Sequence, residues 1–400
     1  MKIGMMADLY KPHISGVTNY ISINKTHLES AGHEVYVFTF GEDGKDDGEP
    51  NVVHSPGLPI SDTGYYLNVR YSSRAQALLD SMDVAHVHHP FVSGSLALRY
   101  CRPIGIPIVF TNHTRYDLYA KAYMPIIGDA LGEPALRAYL PSFCRSCNLV
   151  ISPSEGMREV LMRIGVDVPV EVVPNGVDVK PFLEPGTPQD RGTFGYQSED
   201  VILIYMGRLG PEKNLPFLLR AFAGVNQAFD QAKLLIIGDG PESKNLQERV
   251  RLMGIEKSVQ FTGSVSYDQM PKYLAMGDAF VTASITEVHP LSLIESMAAG
   301  LPVLGIQSPG IGDTVQDGET GYLIAEEDLA GFTASMVRLV VDREACKQMS
   351  IAAREIVNKY AIENTTQLML AQYEKVIAGT PRRKRGLWSR MRRIGMRSGK

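Results

Sequence analysis

Cysteine is scarce. Four residues (Cys101, Cys144, Cys147 and Cys346) in a chain of 400 are too few and too scattered for a disulfide framework, so a reducing compartment is expected. Tryptophan occurs once, at position 388. No run of 18 apolar residues exists, which excludes a membrane-spanning helix from the expectation. The opening Met-Lys-Ile-Gly-Met-Met-Ala-Asp lacks the long apolar segment of a signal peptide and reads as a short strand ending in an acid. A cytoplasmic location is expected. The glycine fingerprint G-x-G-x-x-G is also missing, which argues against a nicotinamide or flavin enzyme.

What the chain does have is an ordinary globular balance: 44% hydrophobic, 21% charged and 8% aromatic residues, enough to bury large cores. Its length favours two or three domains, since single cores rarely grow past about 250–300 residues. The net charge of −4 conceals a split. Residues 381–400 carry nine Lys and Arg and no acid, leaving about −13 (−4 minus 9) for the rest.

Short β-branched runs alternate with helix-length amphipathic segments, the pattern of parallel α/β folding. Strands are predicted at Lys2–Ala7, Glu34–Thr39, Val84–Val87, Pro107–Thr111, Leu149–Ser152 and Glu171–Val173, with a helix over Val17–Ala31 closed by Gly32. The turn Pro174-Asn175-Gly176 and the polar stretch Glu184–Asp200 interrupt the pattern. It restarts with Val201–Met206, Lys233–Ile237, Val259–Phe261, Ala279–Thr282 and Val303–Gly305, and three helical stretches follow residue 328. The expectation is α/β: two facing, doubly wound Rossmann-like domains with the active-site cleft between them. The expected segments are 1–178 (acceptor-binding), 179–362 (nucleotide-sugar-binding), 363–380 (a helix packing back on the first domain) and 381–400 (a basic amphipathic tail).

Five features sit just after predicted strands, where a ligand meets such a sheet. Arg208, in Gly207-Arg208-Leu209, is delivered to the strand end, and Lys213 is expected at the opening of the next helix. A guanidinium, an ammonium and helix N-terminal amides together stabilise the negative charge that builds on a departing diphosphate. Glu287 and Glu295 are two carboxylates separated by seven residues, the first in a loop and the second in a helix. They are suited to sugar and ribose hydroxyls, although surface charges can show the same spacing. Ser15-Gly16 follows the first strand, where a glycine lets backbone approach a phosphate or merely eases the turn. The remaining two are Gly238-Asp239-Gly240-Pro241 and Phe261-Thr262-Gly263-Ser264-Val265.

In this order, and with Pro174-Asn175-Gly176-Val177-Asp178, these features resemble glycosyltransferase family 4, the group 1 glycosyltransferases of GT-B fold, over roughly residues 1–378. The resemblance implies a hexosyltransferase that retains anomeric configuration and needs no catalytic metal or other cofactor, the nucleotide sugar being a substrate. It carries Arg208 and Lys213 onto the donor diphosphate, Glu295 onto the ribose, and Glu287 with the 288–291 backbone, Pro290 and Leu291 included, onto the donor sugar. Gly16, Gly240 and Val265 complete the expected donor site. The chain contains no Asp-x-Asp pair to hold a metal-bridged diphosphate. It departs from the family at Val288-His289-Pro290-Leu291, where members commonly have a glycine, and Pro290 removes one backbone donor.

The segment His113-Thr114-Arg115-Tyr116-Asp117-Leu118-Tyr119 resembles the diacylglycerol glucosyltransferase-like subset. The resemblance places His113 at the reacting centre, orienting the sugar or the acceptor hydroxyl. Tyr116 and Tyr119 are candidate acceptor contacts, or simply part of a packed helix. His86 and His88 share a strand face; lining of the acceptor side by His88 is favoured over a metal pair. Cys144-x-x-Cys147 reads as buried helix residues. In the tail, Leu387, Trp388, Met391 and Ile394 fall at helical spacing among the cations, as in a helix lying on an anionic membrane surface. The expected partners are therefore a nucleotide-sugar donor, a lipid acceptor and the inner face of the cell membrane, with no nucleic acid. UDP-glucose and diacylglycerol are the leading pair. GDP-mannose with a phosphatidylinositol or glycan acceptor, and a non-catalytic nucleotide-sugar-binding protein, are the alternatives.

Overall fold

The computed structural model describes residues 1–13, 15–41, 48–60, 65–67, 70–118 and 129–382. The chain divides into two compact units, each considered by itself. The first takes in Met1–Pro153, Leu161–Val173 and the chain from Thr366 on, and the second Ser154–Val160 and Pro174–Thr365. Tyr119 and residues 383–400, which hold most of the expected basic tail, lie outside the described residues.

Strands of the first unit are β1 (Lys2–Met6), β2 (Glu34–Gly41), β3 (Val52–Pro56), β4 (Leu58–Ile60), β5 (Tyr65–Leu67), β6 (Val84–Val87), β7 (Ile108–Thr111), β8 (Leu149–Ser152) and β9 (Val170–Val172). Seven form one sheet in the order β3-β2-β1-β6-β7-β8-β9, paired in parallel throughout, and β4 and β5 make a separate antiparallel hairpin. The middle strands are apolar on both faces because helices cover both, so β6, β7 and β8 are buried at every position. The first helix, Gly16–Ser30, begins one residue earlier than expected. Ser15 starts it: its hydroxyl accepts from Thr18 N–H while Thr18 Oγ1 accepts from Ser15 N–H, a reciprocal cap. Gly32 ends it with φ +85°. Met369, Tyr373 and Val376 of the helix Ile362–Gly379 join the same apolar cluster as Ile3, Val109 and Ile151.

The second unit holds β10 (Val201–Met206), β11 (Ala232–Ile237), β12 (Val259–Gly263), β13 (Ala279–Thr282), β14 (Val303–Ile306) and β15 (Gly321–Ile324). Their order is β12-β11-β10-β13-β14-β15, all parallel. The order reverses between β10 and β13, and loops at the carboxyl ends of such strands meet ligands. Apolar clusters cover both faces. One is centred on Leu203, Leu218 and Phe222, the other on Ile204, Leu293 and Ile294. After β15 come helices Leu329–Val341 and Arg343–Ile356, opened by Asp328 and Asp342, whose carboxylates accept from Gly331 and Ala345 N–H.

Four strands were not predicted from the sequence: β3, the two of the β4–β5 hairpin, and β15. Val-Val-His-Ser-Pro and Gly-Tyr-Leu-Ile are short and mixed with turn formers, so their extended form comes from pairing at sheet edges.

Candidate active site

Three loops at the carboxyl ends of β10, β11 and β12 are laced through backbone. Gly207 N–H donates to Ile237 O at 3.0 Å, Leu209 N–H to Asp239 O at 2.9 Å, and Gly238 N–H to Gly263 O at 3.0 Å. This lacing requires glycine at 238. Its φ is +135°, and a Cβ there would lie 2.0 Å from Gly207 O. A Cβ at Gly240 would meet Leu209 O at 2.5 Å. The two motifs Gly207-Arg208-Leu209 and Gly238-Asp239-Gly240 are thus one backbone construction. Tyr205, buried on β10, adds its hydroxyl to Arg208 O at 3.1 Å.

Arg208 projects from this construction with its side chain half-exposed and paired to Glu212 at 3.1 Å. Such an exposed pair contributes about 0–1 kcal/mol and yields readily to a stronger anion. Lys213 lies in the single 3-10 turn Pro211–Lys213 rather than in the following helix, Leu215–Ala228. Its ammonium reaches Glu287 Oε1 at 2.7 Å across 74 residues of sequence. Burial pushes the Glu287 carboxyl up, but the charge and hydrogen bond of Lys213 and a hydrogen bond from Ser284 outweigh it and hold it below the usual carboxylate range.

Glu295 sits in the helix Leu291–Ala298 and is 4% exposed. Burial pushes its carboxyl up to about 7, against a hydrogen bond donated by Tyr267 Oη at 2.8 Å. Pro290 is the N-cap of that helix, extended at φ −74° and ψ 122°, with no side-chain cap. The amide that proline lacks therefore precedes the helix, and the first-turn amides that follow belong to Leu291, Ser292 and Leu293. A cavity of about 40 Å³ is lined by Gly207, Lys213, Glu287, Pro290 and Ser292, among others. Val265 packs, partly buried, on the apolar cluster that holds Leu291 and Ile294.

The loop 287–290 is held from three sides within the second unit. Ser154 Oγ donates to Val288 O at 2.7 Å, Asn175 Nδ2 to His289 O at 2.9 Å, and Gly310 N–H to Glu287 O at 3.0 Å. His289 is 4% exposed, accepts at Nδ1 from Asn175 N–H at 3.2 Å, and packs edge-on against Tyr360 at 5.0 Å. Burial, helped by the Lys359 charge, pushes its pKa down to about 3, so the ring is neutral. His289 thus holds this loop by its ring and its carbonyl. Gly310 must be glycine because a Cβ would lie 2.3 Å from Val288 C.

In the first unit, imidazoles gather at the ends of β6 and β7. His88 Nδ1 and His113 Nε2 share a hydrogen bond of 3.0 Å, and the Tyr20 ring packs against His113 at 4.6 Å. His86 uses both ring nitrogens, on Tyr373 Oη at 2.6 Å and Thr111 Oγ1 at 2.7 Å, which leaves it none for a metal. Burial pushes His86 down to about 3, and burial, with the nearby His86 and His89 imidazoles, drives His88 and His113 well below the ordinary value. Among the described residues no three His, Cys, Asp or Glu side chains form a metal-binding group.

Gly16 has open space where a Cβ would stand and no left-handed φ, so neither packing nor conformation within the described residues demands glycine there. Tyr116 is 1% exposed and packs edge-on against Phe91 at 5.4 Å, a packed position rather than an open wall. Cys144 is buried in the helix Asp129–Ser146, its thiol pushed up to about 12 by burial; Cys147 lies just past the end of that helix.

Comparison with known proteins gives this arrangement its family. Residues 14–180 match the model "Glycosyltransferase Family 4", and residues 187–356 match "Glycosyl transferases group 1". The chain is 32% identical to the alpha-monoglucosyldiacylglycerol synthase of Streptococcus pneumoniae over 83% of its own length and 77% of that protein's. The chain belongs to glycosyltransferase family 4. A second alpha-monoglucosyldiacylglycerol synthase, from Acholeplasma laidlawii, is 28% identical over 82% of this chain and 86% of that one. In fold, the glycosyltransferase matches sucrose-phosphate synthase of Thermosynechococcus elongatus with a TM-score of 0.76 at 19% identity, over 94% of this chain and 99% of that one. The two parallel sheets are those of the GT-B fold, and the chain is a hexosyltransferase.

Within this family member the structure joins Arg208, Lys213 and Glu287 around one set of loops, with Pro290 and Ser292 beside them. It also adds residues that the motifs left without a role. Asn175 belongs to the Pro174–Asp178 turn and motif, where no role fell to its side chain, and Ser154 carries no local signal. Ser308-Pro309-Gly310 starts the helix Pro309–Thr314 just after β14, and Gly310 N–H reaches back 23 residues to Glu287 O, a pairing that no local pattern announces. Tyr267 belongs to no motif.

Proposed function

We propose that this enzyme transfers glucose from UDP-glucose to a membrane lipid such as diacylglycerol, retaining the anomeric configuration and using no metal ion. The observation that carries the reading is the Lys213–Glu287 contact at 2.7 Å beside the uncapped start of the helix Leu291–Ala298. It gathers an ammonium, a carboxylate and free amides where a sugar diphosphate has to be bound. In this reading Arg208, Lys213 and first-turn amides take up the charge of the departing diphosphate. Glu287 orders the sugar hydroxyls, and Glu295 receives the ribose diol. Gly16 leaves room for a phosphate oxygen, and Gly240 and Val265 border the nucleoside. His113, neutral and held by His88, orients the acceptor hydroxyl, whose proton passes to the leaving phosphate. No cofactor takes part.

The lipid acceptor is supported by the two relatives named for monoglucosyldiacylglycerol synthesis and by the basic sequence at 381–400. The attachment proposed is peripheral, on the inner face of the membrane, through the cations of that segment; among the described residues no helix is long and apolar enough to cross a membrane. Vesicles of diacylglycerol and anionic phospholipid, with UDP-glucose or GDP-mannose, test the reading directly. Release of UDP and formation of an α-glucosyl lipid that persists in EDTA is the expected result. Release of GDP alone assigns the chain to mannose transfer, and turnover abolished by the chelator overturns the metal-free mechanism.

A further inference from the structure

Glu295 is a carboxylate removed from water, and a buried carboxylate is stable only where something donates to it. Among the described residues its one side-chain hydrogen bond comes from Tyr267 Oη, at 2.8 Å on Oε1. The two partners differ in exposure. Glu295 is fixed in a helix whose neighbours Ile294 and Ser296 are both fully buried. Tyr267 opens the single 3-10 turn Tyr267–Gln269, is 43% exposed, and meets Phe182 edge-on with ring centroids 6.2 Å apart. Tyr267, with much of its surface already in water and on a one-turn element, loses less packing by leaving the carboxylate than Glu295 would by following it from its buried helix.

We propose that Tyr267 is a removable partner of Glu295: its phenol satisfies the carboxylate while the donor site is empty and gives way to the vicinal diol of an incoming nucleoside diphosphate. Two adjacent hydroxyls complement two carboxylate oxygens, and one phenol does not. The exchange keeps the buried carboxylate hydrogen-bonded in both states. It also confines the competition to nucleotides that carry the diol, because only they displace Tyr267 and only they lose affinity to it. The other two charged groups of the site behave alike. Arg208 rests on Glu212 and Lys213 on Glu287, so the empty site is satisfied internally at each position where a ligand group would arrive. The inference rests on the proposed reading of Glu295 as the ribose contact.

Titration calorimetry on the full chain with UDP and with 2′,3′-dideoxy-UDP tests it, using Tyr267→Phe, which removes only the hydroxyl. GDP and its dideoxy analogue replace them if the unaltered enzyme prefers guanosine. Removing the competitor should tighten UDP by about 3- to 10-fold, the scale of one hydrogen bond, and change the dideoxy nucleotide less than about 2-fold. Tyr267→Leu should give the same pattern, with circular dichroism verifying the fold of both variants. A variant that binds UDP more weakly, or that shifts both nucleotides equally, overturns the inference and leaves the ribose reading intact. An unaltered enzyme that binds both nucleotides equally overturns the ribose reading, and the inference with it.

Discussion

The two units share a parallel sheet with helices on both faces, yet their strand ends carry opposite chemistry. At the ends of β6 and β7 in the first unit stand His86, His88 and His113, all held neutral by burial. At the ends of β10 and β13 in the second stand Arg208, Lys213 and Glu287, in ion pairs. In the proposed reading one architecture serves two tasks. Charged groups suit a diphosphate that gains negative charge as its bond breaks, and neutral donors and acceptors suit an alcohol that must be oriented but not ionised.

The sharpest way to break this contrast is to compare single substitutions on the two sides. Arg208→Ala should lower kcat by about 10²–10³-fold through lost charge stabilisation. His113→Asn should lower it by about tenfold, as expected for one neutral hydrogen bond. Steady-state kinetics with a saturating donor decide it. Equal losses would make His113 a base, and a near-normal rate for Arg208→Ala would remove Arg208 from the diphosphate.

A smaller effect concerns the second place where charge collects. Deleting residues 383–400 should reduce turnover on anionic vesicles about tenfold, since each near-surface cation contributes about 1 kcal/mol at such a surface but few engage at once. Activity on detergent-dispersed acceptor should stay within about twofold, because no bilayer remains to attract the cations. Equal losses on both substrates would mean that this segment acts on the fold, not on the membrane.

The smallest expected effect is a divergence of stability in mild acid. The first unit holds His86, His88, His89 and His113 below their ordinary values. The unfolded chain then binds protons that the folded unit refuses, so stability is complete above about pH 6.5 and falls as pH drops through it. In the second unit His289 acts in the same direction, but Glu295 opposes it. With its carboxyl raised to about 7, the folded state binds the extra proton, and stability rises as pH falls from about 7 toward the ordinary 4.5. Hydrogen exchange followed by mass spectrometry should show protection over 84–113 falling between pH 7.5 and 5.5 while that over 201–306 holds. Parallel loss in the two segments would mean that the neutral histidines do not set the difference.

Much of the fold was legible because parallel strands buried on both faces leave unbroken apolar runs. Val84–Val87, Leu149–Ser152, Val201–Met206 and Ala279–Thr282 fall where they were expected. Two of the four edge strands, Val52–Pro56 and Gly321–Ile324, were not legible, since they owe their extension to a neighbour and not to their own composition. The opposite edges, β9 and β12, overlap strands expected at Glu171–Val173 and Val259–Phe261. Tyr119 and the apolar stripe of the tail lie outside the described residues.

The division of labour follows from range. The sequence by itself determined the strand-and-helix alternation and the order of the motifs around Arg208, Lys213, Glu287 and Glu295, because these depend on residue type and on neighbours a few positions away. Only tertiary structure decided that Gly238 is needed by the carbonyl of Gly207, that Ser154 and Asn175 hold the loop at 288–289, and that Tyr267 answers Glu295. Each joins residues 28 to 134 positions apart, or two backbones at contact distance, and packing alone sets such proximity.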